Sequence, residues 1–329
     1  MRTRPFHVAA RFGATFIMVA ALILALVVRF GPPWPVIILI SLALPVLALT
    51  ALMASLVAAW LGRARGRWMA LDCGALAAWL LVDSLSPMLW HRLPAPSSQN
   101  GTARIVEFNA WILNDAPLAA SRWIESQHPD AVVLLEAAGA ARPIVDRLLP
   151  AFPYQVSCRG ARPCSTVILA RRPFLAARGL AHGDADNRRA LSAAYAVIDS
   201  AQGPVPLLAL HLSRPMSASD QSHEINLLIG DMHSLSSSGL VVAGDFNLPP
   251  WSRALRQVSD GLSVRTPGGE RPTWQVPGTG SALPTLWPID HVLLGPDWTA
   301  ARLMRGPALG SDHYPLLVEL SRDMTHAHH

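Results

Sequence analysis

The sequence predicts an α/β or α+β domain carried behind membrane-spanning helices. Three observations lead there. Apolar residues make up 51% of the 329 positions and charged residues only 15%, and the apolar excess is concentrated near the N-terminus. After residue 103, short apolar runs alternate with helical periodicity. Four of the eight runs end on an acid, an amide or a histidine, and two more carry such residues at or just before their start.

The N-terminal part comes first. Residues 1–95 hold eight Arg and only two acids, Asp72 and Asp83, a net +6, whereas residues 96–329 hold 19 Arg and 20 acids, a net −1. There is no Lys. A net charge of +5 would ordinarily raise nucleic-acid binding, but here the surplus surrounds apolar segments and leaves the second part near neutral. Phe12 to Val28 is uncharged and bracketed by Arg11 and Arg29, at the short end of a spanning helix. A cleaved signal peptide is the competing reading, but no small-x-small site follows and further apolar segments do. Val36 to Leu61 is uncharged and is expected as one helix, since a membrane helix tolerates Pro45. Trp68 to Trp90 is a third candidate, with Trp at both ends and Asp72 and Asp83 inside. An acid at the centre of a span costs roughly 2.5–3.5 kcal/mol on insertion scales, so Asp83 is expected near the outer interface or facing another helix.

The expected plan is therefore a membrane domain over 1–92 with helices near 12–28, 36–61 and 68–90. A Pro/Ser/Asn/Gly-rich linker follows over 93–103, then a domain over 104–321 and a tail over 322–329. Arg2, Arg4 and Arg11 precede the first span, and Arg63, Arg65 and Arg67 lie between the second and third. The positive-inside rule puts both groups in the cytoplasm, so three crossings place the domain on the extracytoplasmic, periplasmic side of a bacterial inner membrane. If the third segment does not cross, the domain is cytoplasmic. Cys73 reads as an apolar filler in the third segment. Cys158 and Cys164 stand in "CRGARPC". A zinc pair competes there, but no second Cys/His pair stands nearby, and a loop-closing disulfide suits an oxidising compartment.

In the second part, strands are predicted over 104–109, 131–136, 165–170, 193–198, 205–211, 240–245, 289–294 and 314–320, and helices over 116–127 and 218–235. Asn109, Glu136, His211 and the pair Asp245 and Asn247 lie at strand ends, Asp290 and His291 at a strand start, and Asp312 and His313 just before the last strand. Any one of them is an ordinary turn cap. Together they form a set of hard oxygen donors and imidazoles. Carboxylate and amide oxygens suit Mg2+ or Mn2+ rather than zinc. A cation, a carboxylate to orient water and imidazole donors favour attack at phosphorus.

The motifs "FNAW", "LLEAAG", "ALHL", "GDFN", "PTW", "IDHVLL" and "SDHYPLLVEL", in this order over about residues 103–321, resemble the endonuclease/exonuclease/phosphatase superfamily. The resemblance implies a four-layer α/β/β/α sandwich with the site at one edge of two sheets. It implies that Glu136, with Asn109 beside it and Asp312 in support, holds Mg2+ or Mn2+. Asp245 would orient or deprotonate the attacking water, and Asn247 would bond phosphoryl oxygens and hold Asp245. His313, oriented by Asp290, would contact the scissile phosphate or act as base, and His211 would donate to a phosphoryl oxygen. Leu135 stands where many members have Gln, and Ala170-Arg171-Arg172 where many have Ser-Arg.

A membrane-anchored phosphoesterase acting on a lipid-linked phosphate, pyrophosphate or phosphodiester is the leading expectation, because anchoring raises the effective concentration of lipid substrates. The bilayer is then a partner, which Trp111, Trp251, Trp274 and Trp287 are expected to help meet. Nucleic acid is a disfavoured partner. An envelope nuclease would need a basic groove, for which Arg159, Arg162, Arg171, Arg172, Arg188 and Arg189 are candidates. A non-catalytic scaffold is the reading from another class, opposed by the intact acid, amide and histidine set.

Overall fold

The computed structural model describes residues 3–32, 34–89, 102–158, 164–180, 191–233, 235, 239–277, 285 and 287–322. The linker up to residue 101, the 323–329 tail and Arg159, Arg162, Arg188 and Arg189 lie outside these residues.

Four helices open the chain: α1 (Thr3–Phe30), α2 (Pro35–Ser41), α3 (Leu44–Leu61) and α4 (Ala64–Leu89). Three stretches, His7–Phe30, Leu44–Leu61 and Arg65–Leu89, are long and apolar enough to cross a membrane. The 36–61 segment expected as one helix is divided. Pro45 has no N–H to donate to the Ser41 carbonyl, so α2 stops there and α3 starts anew with Pro45 in its first turn. Small residues let the helices meet closely: Ala25, Ala48, Ala51 and Ala77 are fully buried between them. Asp83 is paired inside the bundle, accepting from Arg29 Nε at 2.6 Å.

From Ala103 the chain builds two sheets. Its elements are β1 (Ala103–Asn109), α5 (Pro117–Ser126), β2 (Ala131–Leu135), α6 (Arg142–Leu148), β3 (Tyr154–Ser157), β4 (Val167–Ala170), β5 (Ala176–Leu180), β6 (Ser192–Ser200), β7 (Gly203–His211), α7 (Ala218–Met232), β8 (Val241–Asp245), α8 (Arg253–Leu262), β9 (Asp290–Leu294), β10 (Trp298–Arg305) and β11 (Leu316–Arg322). One sheet runs β10-β11-β1-β2-β4-β3 and the other β5-β6-β7-β8-β9. Ile105, Val133, Ile168, Leu207, Val241 and Val292 interdigitate between them. On the outer face of the first sheet, Val106, Phe108 and Leu134 pack on Ile124 of α5 and Ile144 and Leu148 of α6. On the outer face of the second, Leu208 and Val242 pack on Ile225 and Leu228 of α7 and Leu255 and Val258 of α8. This is the four-layer α/β/β/α sandwich. Strands buried on both faces explain why the runs read as continuous rather than alternating apolar sequence. The strands β3, β5 and β10 and the helices α6 and α8 are additional to those expected. β3 and β5 carry exposed positions, which deprive them of an apolar run.

The sandwich sits directly on one end of the helix bundle. Arg253 Nη1 donates to the Phe30 carbonyl at 2.7 Å and the Gly31 carbonyl at 3.0 Å, and Arg256 Nη2 to the Arg29 carbonyl at 3.2 Å. These are the unpaired carbonyls at the C-terminus of α1, where the helix dipole also favours a cation. Glu270 N–H donates to the Pro87 carbonyl of α4 at 3.0 Å. The carbonyls freed at the α2/α3 break are used as well: Trp251 Nε1 donates to Ser41 O at 2.7 Å and Trp287 Nε1 to Leu42 O at 3.2 Å. Trp251 is thus buried at this junction, not presented to a bilayer.

Candidate active site

Strand register brings the polar strand ends together. β1 and β2 are parallel, with Asn109 opposite Leu135, so Glu136 emerges beside Asn109. β7 and β8 are parallel, with His211 opposite Asp245, and β8 and β9 are antiparallel, with Asp245 opposite Asp290. The segment before β11 adds Asp312 and His313 from the first sheet. Two carboxyl-terminal sheet edges therefore face one another across the site.

Local backbone fixes the angles. A Cβ on Gly244 would collide with the Leu210 carbonyl, so only glycine lets β8 lie this close to β7 before Asp245. Glu136 and Asn247 both adopt left-handed φ, at 49° and 52°. Such residues cost about 1–3 kcal/mol each and persist where the surroundings over-determine them. Asp245 does so for Asn247: its Oδ1 accepts the Asn247 N–H at 2.8 Å, while Asn247 Nδ2 donates to Leu212 O at 2.9 Å.

The buried Asp245 is the hub. Its Oδ2 accepts from Asn109 Nδ2 at 3.0 Å and lies 3.7 Å from Nε2 of both His211 and His313. Burial and the Asp290 charge push its carboxyl up to about 6, against the pull of His313, His211 and the Asn247 N–H. His313 Nδ1–H donates to Asp290 Oδ2 at 2.8 Å. Burial works to lower His313, but Asp290 and Asp245 outweigh it and push the imidazole up to about 10. It is a protonated donor at neutral pH. The "PTW" and "SDH" motifs supply the support. Thr273 Oγ1 accepts from Asp290 N–H at 3.3 Å, and Trp274 Nε1 donates to Asp312 Oδ2 at 3.3 Å. Ser311 Oγ donates to Asn109 O at 2.7 Å and accepts from His313 N–H at 3.0 Å.

These groups floor a cavity of about 440 Å3 lined by Glu136, Asp245, Asn247, Asp312 and His313. Its walls are apolar and aromatic, from Trp111, Met216, Trp274 and Trp287. Three of the tryptophans expected at a bilayer therefore line the cavity. Arg214, which the strand-end pattern did not single out, also lines it, with Nη2 3.9 Å from Glu136 Oε1. Its place three residues after His211 was the available signal. A further acid, Glu107, is buried behind the site, and burial together with Asp290 and Asp245 raises its carboxyl well above the usual range. Of the arginines named for a basic groove, Arg171 donates to Pro129 O and Arg172 pairs with Asp199, and neither lines the cavity. Cys158 and Cys164 are disulfide-bonded, with Cα atoms 5.5 Å apart.

Two groupings could hold a cation. Ligand atoms of Asp245, Asp290 and His313 lie within 4.8 Å of one another. That trio is already closed by the His313–Asp290 hydrogen bond. Glu136 and Asp312 are the alternative. Asp312 Oδ1 is buried without a hydrogen-bond partner, and the cationic groups nearest Glu136 Oε1, His211 and Arg214, stay at 3.8 and 3.9 Å. Two under-satisfied carboxylates beside the amide of Asn109 fit a hard divalent ion.

Comparison with curated proteins finds no match. Among solved structures, the chain is similar to an endonuclease/exonuclease/phosphatase family protein from Bacteroides thetaiotaomicron, with a TM-score of 0.55 at 13% identity, covering 69% of this chain and 100% of that one. It is similar to Staphylococcus aureus beta toxin with bound magnesium ions, with a TM-score of 0.52 at 14% identity, covering 66% and 99%. It is also similar to a humanised D. rerio TDP2, with a TM-score of 0.53 at 17% identity, covering 67% and 99%. At these identities the likeness speaks for the fold. The family model described as Endonuclease/Exonuclease/phosphatase family matches residues 106–313, from β1 to the histidine that meets Asp290. The chain therefore belongs to the endonuclease/exonuclease/phosphatase family of metal-dependent phosphoester hydrolases.

Proposed function

We propose that this protein is a membrane-anchored phosphoesterase whose catalytic domain faces the extracytoplasmic side and hydrolyses a lipid-linked phosphate, pyrophosphate or phosphodiester. The observation that carries this reading is the acid floor of the cavity lying beside the end of an apolar helix bundle, under apolar walls. Orientation is supported by charge. The arginine-rich α3–α4 connection lies at the opposite end of the bundle from the α1 carbonyls on which the sandwich is seated.

Glu136, Asp312 and Asn109 would hold Mg2+ or Mn2+, which supplies Lewis-acid stabilisation of charge on phosphoryl oxygens. Asp245, ionised above about pH 6, accepts the proton of the attacking water. Asn109 and Asn247 hold that carboxylate in place. His313, as imidazolium, donates to a phosphoryl oxygen and stabilises the charge that develops there, with Asp290 fixing its ring. His211, with Nε2 3.7 Å from Asp245 Oδ2, would donate to a second phosphoryl oxygen. Arg214 adds a cation at the mouth.

Glu136→Ala and His313→Ala are each expected to abolish turnover in folded protein. The test incubates purified full-length protein and Mg2+ with a panel of envelope lipids and oligonucleotides, and reads phosphate or headgroup release. Wild-type-like hydrolysis by either variant overturns the site. Release from oligonucleotides alone, falling steeply with salt, would transfer the reading to a nuclease.

A further inference from the structure

The catalytic cavity is not walled by the sandwich alone. Leu39 of α2 and Leu42 just after it form part of the wall, alongside Met216 and Trp287. The α2 helix lies between α1 and α3, both long and apolar enough to cross a membrane. Its placement is fixed from two directions. Ile38 is buried against Leu208, Ile225 and Leu228 on the outer face of the second sheet. The Ser41 and Leu42 carbonyls accept from Trp251 and Trp287. Leu39 is left 43% exposed, and Met216 in the adjoining Pro215–Ser217 turn is 87% exposed. Leu113, 63% exposed, extends apolar surface on the Trp111 side.

Polarity within the cavity is divided. Among the described residues, every acid, amide and imidazole in the lining belongs to the floor, and Arg214 is the remaining charged group. Among the described residues, the α2 side offers no polar side chain to a sugar or an amine. We propose that α2 is the specificity element of the enzyme: Leu39 and Leu42, with Met216 and Trp287, take the apolar chain of a membrane lipid phosphate as it slides sideways out of the leaflet with its phosphate on the acid floor. The inference rests on the phosphoesterase reading for the phosphate end and adds the chain-binding wall. For a chain that enters from water, each methylene buried on such a wall is worth about four-fold in affinity. The membrane domain is thereby part of the substrate site as well as an anchor.

The test uses the full-length protein in lipid nanodiscs with non-hydrolysable alkyl phosphonates from methyl to decyl, read by quenching of the cavity tryptophans. Wild type is expected to bind more tightly as the chain lengthens, with Leu39→Asn lowering the decyl-to-methyl affinity ratio at least ten-fold. Val36→Asn, on α2 but outside the cavity, controls for partition into the bilayer and is expected to keep the ratio. Affinity independent of chain length, or a Leu39→Asn ratio equal to wild type, overturns the proposal. A chain-length ladder in a protein that hydrolyses no phosphoester overturns the enzymatic reading and leaves the apolar wall standing. Hydrolysis without the ladder does the reverse.

Discussion

Two titrating groups carry opposite consequences. Asp245 must be ionised to accept a proton, and its carboxyl is held up at about 6 by burial and by Asp290. The rate is therefore expected to fall about ten-fold per pH unit below that value and to stay level above it until His313 gives up its proton near 10. Asp245→Asn should lower it by about 10²–10⁴-fold at every pH. A wild-type rate that stays level down to pH 4 would take the base role away from Asp245. His291 is not in the cavity but is fully buried, with Nδ1 3.0 Å from Glu270 Oε2 and Nε2 2.7 Å from Leu248 O. A carbonyl only accepts, so Nε2 carries a proton, and Nδ1 faces the Glu270 carboxyl group. Burial opposes the charge, but Glu270 and the two hydrogen bonds prevail and raise the imidazole. The folded-state value is above the unfolded one, so the stabilisation is full below about pH 6.5 and is lost as pH rises through the raised value. Glu270→Gln keeps an acceptor and removes the charge. The stability advantage of wild type over this variant is expected to shrink from pH 6 to pH 9 in thermal melts. An advantage that stays constant would show the pair to be neutral.

Among the elements, the division between α2 and α3 decides most. Composition alone allows one helix through 36–61, because a membrane helix tolerates proline when its freed carbonyl finds a partner. The partners lie more than two hundred residues away, on Trp251 and Trp287, and no local pattern announces them. Trp251→Phe keeps the ring and removes the donor, leaving the buried Ser41 carbonyl unpaired at a cost of about 1–3 kcal/mol. A fall in the melting temperature of detergent-purified protein is the expected result, and an unchanged melt would mean that this bond does not hold α2. The strands were legible for the opposite reason. Burial on both faces makes β1, β2, β7 and β8 continuous apolar runs, while the exposed β3 and β5 have no such run to show.

At the level of the whole molecule, the sandwich is bonded to the bundle through Arg253, Arg256 and Glu270. The site is thereby held at a set height over the helix ends, beside α2. The proposed orientation has a direct check in right-side-out membrane vesicles on a Cys73→Ala background. Leu175→Cys, on the exposed flank of the sandwich, is expected to react with an impermeant maleimide. Arg65→Cys, in the first turn of α4 at the opposite bundle end, is expected to be protected until the vesicles are opened. The reverse pattern would place the catalytic domain in the cytoplasm.

The sequence by itself determined the long apolar helices, the alternation of elements and the polar strand ends, because burial period and strand-end chemistry are local properties. It named Asn109, Glu136, His211, Asp245, Asn247, Asp290, Asp312 and His313 before any of them had neighbours. Only the tertiary structure decided that Glu136 and Asp312 stay under-satisfied while His313 is closed onto Asp290, that Arg214 joins them, and that a piece of the N-terminal helical part walls the cavity. Those outcomes depend on strand register and on domain seating, which set distances between residues that the chain itself keeps far apart.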